Sequence, residues 1–111
     1  MQLQKVINEF WESEAQPALM RYIRIPAKST AYDRLWKEHG FLDECCELGQ
    51  QWIKKVLPQA QTEIIREEGR TPCLLVEIPA TAQNDSETVV FYGHLDKQPE
   101  AGGWREGLGP W

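Results

Sequence analysis

The stretch Val89-Val-Phe-Tyr-Gly-His-Leu-Asp-Lys-Gln-Pro99 decides how this chain is read, because only here does a chemically versatile side chain follow an apolar, strand-like run. Residues 88–92 are β-branched and aromatic, a composition suited to a pleated, largely buried strand, and Gly93 breaks it at a position that admits close backbone approach. His94 is then expected at the carboxyl end of a strand, the edge where α/β sheets tend to bind ligands. If the backbone stays extended through residues 94–96, the alternation of side chains places His94 and Asp96 on one side and Leu95 on the other. Pro99 supports this, since it pushes Gln98 away from the helical region.

A histidine and a carboxylate in one small space suit two chemistries. A neutral imidazole is a common zinc ligand, and a nearby carboxylate that accepts its second N–H fixes the ring's tautomer and raises its basicity. The same pair suits a general base and its orienter in nucleophilic catalysis, but no Ser or Cys lies in a recognisable nucleophile turn. From the three residues alone, a solvated loop histidine beside an acid is the better reading. The longer context changes that balance.

The run Phe91-Tyr-Gly-His-Leu-Asp-Lys-Gln-Pro-Glu-Ala-Gly-Gly-Trp104, continuing to Gly109-Pro-Trp111, resembles the first metal motif of the dizinc metallopeptidases that include carnosinase, acetylornithine deacetylase, succinyl-diaminopimelate desuccinylase and carboxypeptidase G. The shared pattern is an apolar strand, Gly-His-x-Asp, and a valine- or glutamine-proline pair. The Gln98-Pro99 form, followed by Gly103-Trp104, is most similar to the carnosinase-type dipeptidase branch. Upstream, Arg21-Tyr-Ile-Arg-Ile-Pro-Ala-Lys-Ser29 is similar to the segment after that family's first helix, so the resemblance spans nearly the whole chain but only the opening part of a family member. It implies an α/β fold forming the N-terminal part of an α/β/α sandwich, with two or three helices followed by about three strands. It also implies His94 as a metal ligand, Asp96 as its orienter in the catalytic site, and two zinc ions in a complete parent. Tyr92, Lys97 and Gln98 lie where they could shape the site, with no role specified by the pattern.

Composition bounds the remaining possibilities. The chain has 111 residues, 41% of them hydrophobic and 26% charged, which suits one globular unit with a modest core and leaves no room for a second domain. A net charge of −5 without clustered Lys and Arg argues against nucleic acid as a partner. Three cysteines, two of them adjacent at Cys45 and Cys46, form no metal-knuckle spacing and point to reduced thiols in the cytoplasm. Glu9, Glu12 and Glu14 interrupt the N-terminal segment before a signal peptide or membrane span could be built.

In chain order, Leu3, Val6, Ile7 and Phe10 recur at helical spacing, with Trp11 extending the apolar side. Ser13 and Gln16 suit a capping box that restarts a second helix through Leu19, Met20 and Ile23; the alternative is a single helix kinked near Pro17. Pro26 ends this region. Residues 27–41 read as a connection with about one helical turn, within which His39 is expected to be a solvated loop or cap histidine. Leu42, Cys45, Cys46, Gly49, Trp52, Ile53 and Val56 then define an amphipathic helix stopped by Pro58, with Cys45 and Cys46 as small core-facing residues. Residues 62–66 and 73–78 read as an antiparallel strand pair, residues 80–87 as a surface loop, and residues 88–92 as a third strand. The glycine-rich tail lacks phosphate-loop spacing and reads as a flexible loop, whose Trp104 and Trp111 need a surface to pack against.

One imidazole and one carboxylate do not make a zinc site, which takes three or four protein ligands, and a two-metal site takes more. The expectation is therefore a fragment of a longer metallopeptidase, inactive by itself. The parent would hydrolyse peptide or amide bonds of small peptides or N-acyl amino acids through zinc-activated water, with neither nucleic acid nor membrane as partner and with a homodimer allowed. The competing expectation is a non-catalytic folded module.

Overall fold

The structure, a computed structural model, describes residues 1–81 and 87–111. Three helical segments run without a break from the N-terminus: α1 (Gln2–Phe10), a π-helical turn (Trp11–Ala15) and α2 (Gln16–Arg24). Ser13 does not cap a new helix; its hydroxyl donates back to the Glu9 carbonyl at 2.7 Å, so the single-helix alternative is the one adopted. The wide turn lies directly before Pro17, which has no N–H for the Ser13 carbonyl and would crowd it in a regular ladder; Gln16 instead donates five residues back, to Trp11. Arg21 and Arg24 lie in the last turn, where their charge suits the negative end of the helix dipole. Ile25 then turns extended (φ −75°, ψ 117°), as a residue before proline must.

The connection contains one short helix, α3 (Trp36–His39), and Gly40 closes it with φ 70°, a left-handed conformation that glycine adopts without strain. The same residue begins α4 (Phe41–Val56), which carries Asp43 and Glu44 in its first turn and Lys54 and Lys55 in its last, matching the helix dipole at both ends. Strands β1 (Gln61–Ile65) and β2 (Cys73–Glu77) form an antiparallel hairpin in the register Thr62 to Val76 and Ile64 to Leu74. Their connection turns at Glu67 to Arg70, where Gly69 takes φ 77°. Half-buried and exposed positions alternate along both strands, and α4 packs on the half-buried face. An added Cβ on Gly49 would lie 3.1 Å from Leu74 Cδ2. Arg66 fastens the end of β1 to α4 through Asp43 at 2.6 Å and Glu47 at 3.2 Å.

The core is small. Ile25, Ala27, Leu42 and Cys45 are buried together, with Tyr22, Trp36, Phe41 and Leu48 packed around them. Cys45 and Cys46 face inward as their spacing predicts, and burial pushes both thiols above the ordinary cysteine value. The N-terminal rod lies against α4 through the Phe10 and Trp52 rings, 6.3 Å apart, and the Lys55–Glu14 ion pair at 2.6 Å.

The third strand is not formed. Residues 88–92 are outside any sheet, and Val89, Val90, Phe91 and Tyr92 are 76% to 94% exposed. Strand composition expresses a fit to a half-buried, paired surface, and among the described residues nothing supplies that surface here. The loop expected over residues 80–87 lies largely outside the described residues. Among the described residues the architecture is therefore a mixed helix and strand fold with one two-stranded antiparallel sheet.

Candidate functional site

His94 and Asp96 stand together, as alternation along an extended chain requires. His94 Nδ1 lies 3.0 Å from Asp96 Oδ1 and 2.9 Å from the Asp96 carbonyl oxygen. An ionised carboxylate and a carbonyl can only accept, so Nδ1 must carry the hydrogen, and the lone pair of a neutral ring then resides on Nε2. The side chain is 71% exposed, so that nitrogen is open to a ligand. No group approaches Gly93 closely, contrary to the expectation from its place after the apolar run: a Cβ built there meets no atom within 4 Å.

What holds this loop is not the strand expected before it. Lys97 N–H donates to the Ala27 carbonyl at 2.8 Å and Ser29 N–H donates to the Lys97 carbonyl at 2.9 Å, a parallel bridge between residues 28 and 97. The Lys97 ammonium donates to the carbonyls of Tyr22 (2.8 Å), in the last turn of α2, and Ile25 (2.5 Å), the residue after it, and lies 4.0 Å from the centre of the Tyr22 ring. It thus binds the negative end of a helix dipole and an aromatic face at once. The Tyr22 hydroxyl donates to the Leu95 carbonyl at 2.7 Å, and Lys28 pairs with Glu100 at 3.2 Å. Burial lowers the pKa of Lys97, opposed by the nearby Cys45 and Glu44, and burial also raises that of Tyr22, with Cys45 and Asp96 adding to it.

The pairing of Lys97 and Tyr22 carries no signal in the sequence, because neither lies at helical or strand spacing from the other and the contacts that join their segments span 73 to 75 residues. Tyr92 and Gln98, also in the motif, are exposed. In the tail, Trp104 Nε1 donates to the Ala101 carbonyl at 2.6 Å while its ring stays half exposed, and Trp111 lies 5.9 Å from the Lys97 ammonium.

A second histidine pairing occurs at residues 33–39. His39 Nδ1 is 2.7 Å from Oδ2 of the buried Asp33, whose Oδ1 accepts the Leu35 N–H at 3.1 Å. The His39 hydrogen bond is the main cause of a lowered Asp33 pKa, and the Leu35 N–H adds to it. His39 also stacks on Phe41 at 5.4 Å, which makes it part of the turn between α3 and α4, in keeping with a cap histidine.

Zinc fits one corner of the His94 site and no more. The donor set offers one open imidazole nitrogen and the carboxylate that orients its ring, and among the described residues no group of three or more His, Cys, Asp or Glu is placed to hold a metal ion. A scan against models of known protein families and a search of curated proteins give no match.

Proposed function

We propose that this chain carries the first metal-binding element of a zinc-dependent hydrolase acting on peptide or amide bonds of small peptides or N-acyl amino acids. His94 supplies one ligand through Nε2, and Asp96 fixes the ring by accepting its Nδ1–H. The observation that carries this reading is the double acceptor at Nδ1, the kind of hydrogen bond that orients metal-bound histidines through their other ring nitrogen, joined to the Gly-His-x-Asp resemblance. On this reading the helices and hairpin are the opening elements of an α/β/α sandwich, residues 88–92 become a strand within it, and the remaining metal ligands come from outside the described residues. Zinc, when bound, would supply Lewis acidity and a water of lowered pKa. The chain's own contribution is to present and orient one imidazole. A cytoplasmic setting accords with the free thiols, and among the described residues no helix is long and apolar enough to cross a membrane.

The competing reading, a folded module without metal-dependent activity, is favoured by the lack of a three-donor cluster among the described residues. Metal content and turnover separate the two. In an active protein containing this segment, His94→Ala removes zinc, and Asp96→Asn lowers activity by roughly 10- to 100-fold. Full zinc content and activity in His94→Ala would overturn the metal-ligand assignment.

A further inference from the structure

The residue after the His-x-Asp triplet is built into the end of a helix more than seventy positions away, and no catalytic role requires that. We propose that Lys97 is a positioning residue, which holds residues 95–97 against the C-terminal end of α2 so that the His94 ring keeps its hydrogen on Nδ1 and its lone pair on Nε2. The inference rests on the metal-ligand reading of His94 for its functional meaning, though not for its geometry.

Three independent ties converge on these residues. The Lys97 ammonium spans the carbonyls of Tyr22 and Ile25, its backbone bridges Ala27 and Ser29, and the Tyr22 hydroxyl holds the Leu95 carbonyl. Among the described residues, His94 itself makes only local contacts, with Asp96 two residues on, and is mostly exposed. An exposed dipeptide contact of that kind has no reason to persist in a mobile loop, since ordering the backbone costs about 1–2 kcal/mol per residue. Here Asp96 lies between two residues already fixed, so its carbonyl and carboxylate are held where Nδ1–H meets both. Lysine suits this task because its ammonium lies over the Tyr22 ring while its three donors reach two carbonyls at the helix end, each of which accepts one backbone N–H and has a second lone pair to offer.

The test uses the whole 111-residue chain. Proton–nitrogen correlation spectra of the imidazole rings report the tautomer of His94, with His94→Ala to assign its signals. The parent chain should show His94 predominantly as the Nδ1–H form. Lys97→Met, which keeps the stem and loses the donors, should lose that preference, and the Ser29 amide should exchange about tenfold faster or more. Lys97→Arg, which restores donors to the same carbonyls, should recover the tautomer at least in part. Tyr22→Phe cuts only the tie to Leu95 and gives a milder loss, which keeps the proposal open to refutation if Lys97→Met fails to fold. An unchanged Nδ1–H preference in a folded Lys97→Met, or in Tyr22→Phe where Lys97→Met is unfolded, overturns the positioning role. Zinc titration of an active protein with and without His94 tests the underlying reading separately: a locked tautomer without zinc binding would refute the ligand assignment and leave the positioning role standing.

Discussion

Gly49 lies in the interior of α4, directly against the hairpin, and replacing it tests whether helix and sheet meet in the register described. Glycine costs a helix interior about 1 kcal/mol relative to alanine, so Gly49→Ala begins with a gain of that size. The new Cβ would sit 3.1 Å from Leu74 Cδ2, tighter than the ~3.5–4.0 Å of a favourable carbon contact. Leu74 must therefore retreat by roughly half an ångström. A methyl at the end of leucine accomplishes this by a torsional shift below about 30°, which costs less than about 1 kcal/mol. The two terms nearly cancel, so Gly49→Ala should leave stability within about 0.5 kcal/mol of the parent, on the stabilising side. Valine adds two further methyl groups against the strand, and overpacking of this kind costs about 1–3 kcal/mol. Leu74→Ala removes the obstruction, so Gly49→Ala in that background should recover most of the full helix gain of about 1 kcal/mol. Urea denaturation of the four variants, followed by helical circular dichroism, measures these differences. If Gly49→Val proved as stable as Gly49→Ala, α4 would not lie on β2 at this position.

Four further expectations follow from the same structure. Asp33 has its carboxyl pKa lowered by His39 and the Leu35 amide, so its contribution to stability is present above the unfolded value of about 3.9 and is lost as pH falls through the lower folded value. The stability gap between the parent and Asp33→Asn should accordingly be open at pH 7 and close in acid; melts over that pH range that ran parallel would refute it. Cys73 is exposed while Cys45 and Cys46 are buried with raised pKa values, so a thiol reagent near pH 8 should label one cysteine rapidly and the other two only on unfolding, as mass spectrometry of the labelled peptides would show. The isolated chain should bind zinc weakly and hydrolyse no dipeptide, and calorimetry showing tight stoichiometric zinc would contradict the one-corner description of the site. Val6, Ile7, Phe91, Tyr92 and Leu108 leave large apolar areas open, so light scattering should detect association that grows with concentration.

Much of the fold was legible because it rests on local periodicity. The apolar spacing of α4, the turn chemistry before it at Gly40, and the two strand-like runs around Gly69 each specify their element within a few residues. Residues 88–92 have strand composition of the same quality and form no ladder, because a strand exists only where a neighbour accepts its hydrogen bonds and composition says nothing of the neighbour. The candidate site divides in the same way. His94 and Asp96 meet because they are two residues apart, a distance that alternation governs. Lys97 and Tyr22 meet because the chain folds back over itself between them, and no short-range pattern records such a closure.

The wide turn in the N-terminal rod sets its rotational phase. Phe10 and Tyr22 both face the rest of the molecule, the first against Trp52 and the second against the core. Twelve steps of regular α-helix would rotate one about 120° from the other, whereas removing one residue from the count leaves about 20°. The π-helical turn absorbs that one residue. The length of chain between the two anchors therefore matters more than the identity of the residues spanning it. Losing one residue from 11–15 would preserve the shared face if the wide turn tightened to α-helical spacing, with Pro17 still interrupting one hydrogen bond, but gaining one would swing α2, and with it the helix end that Lys97 grips, about 100° out of line.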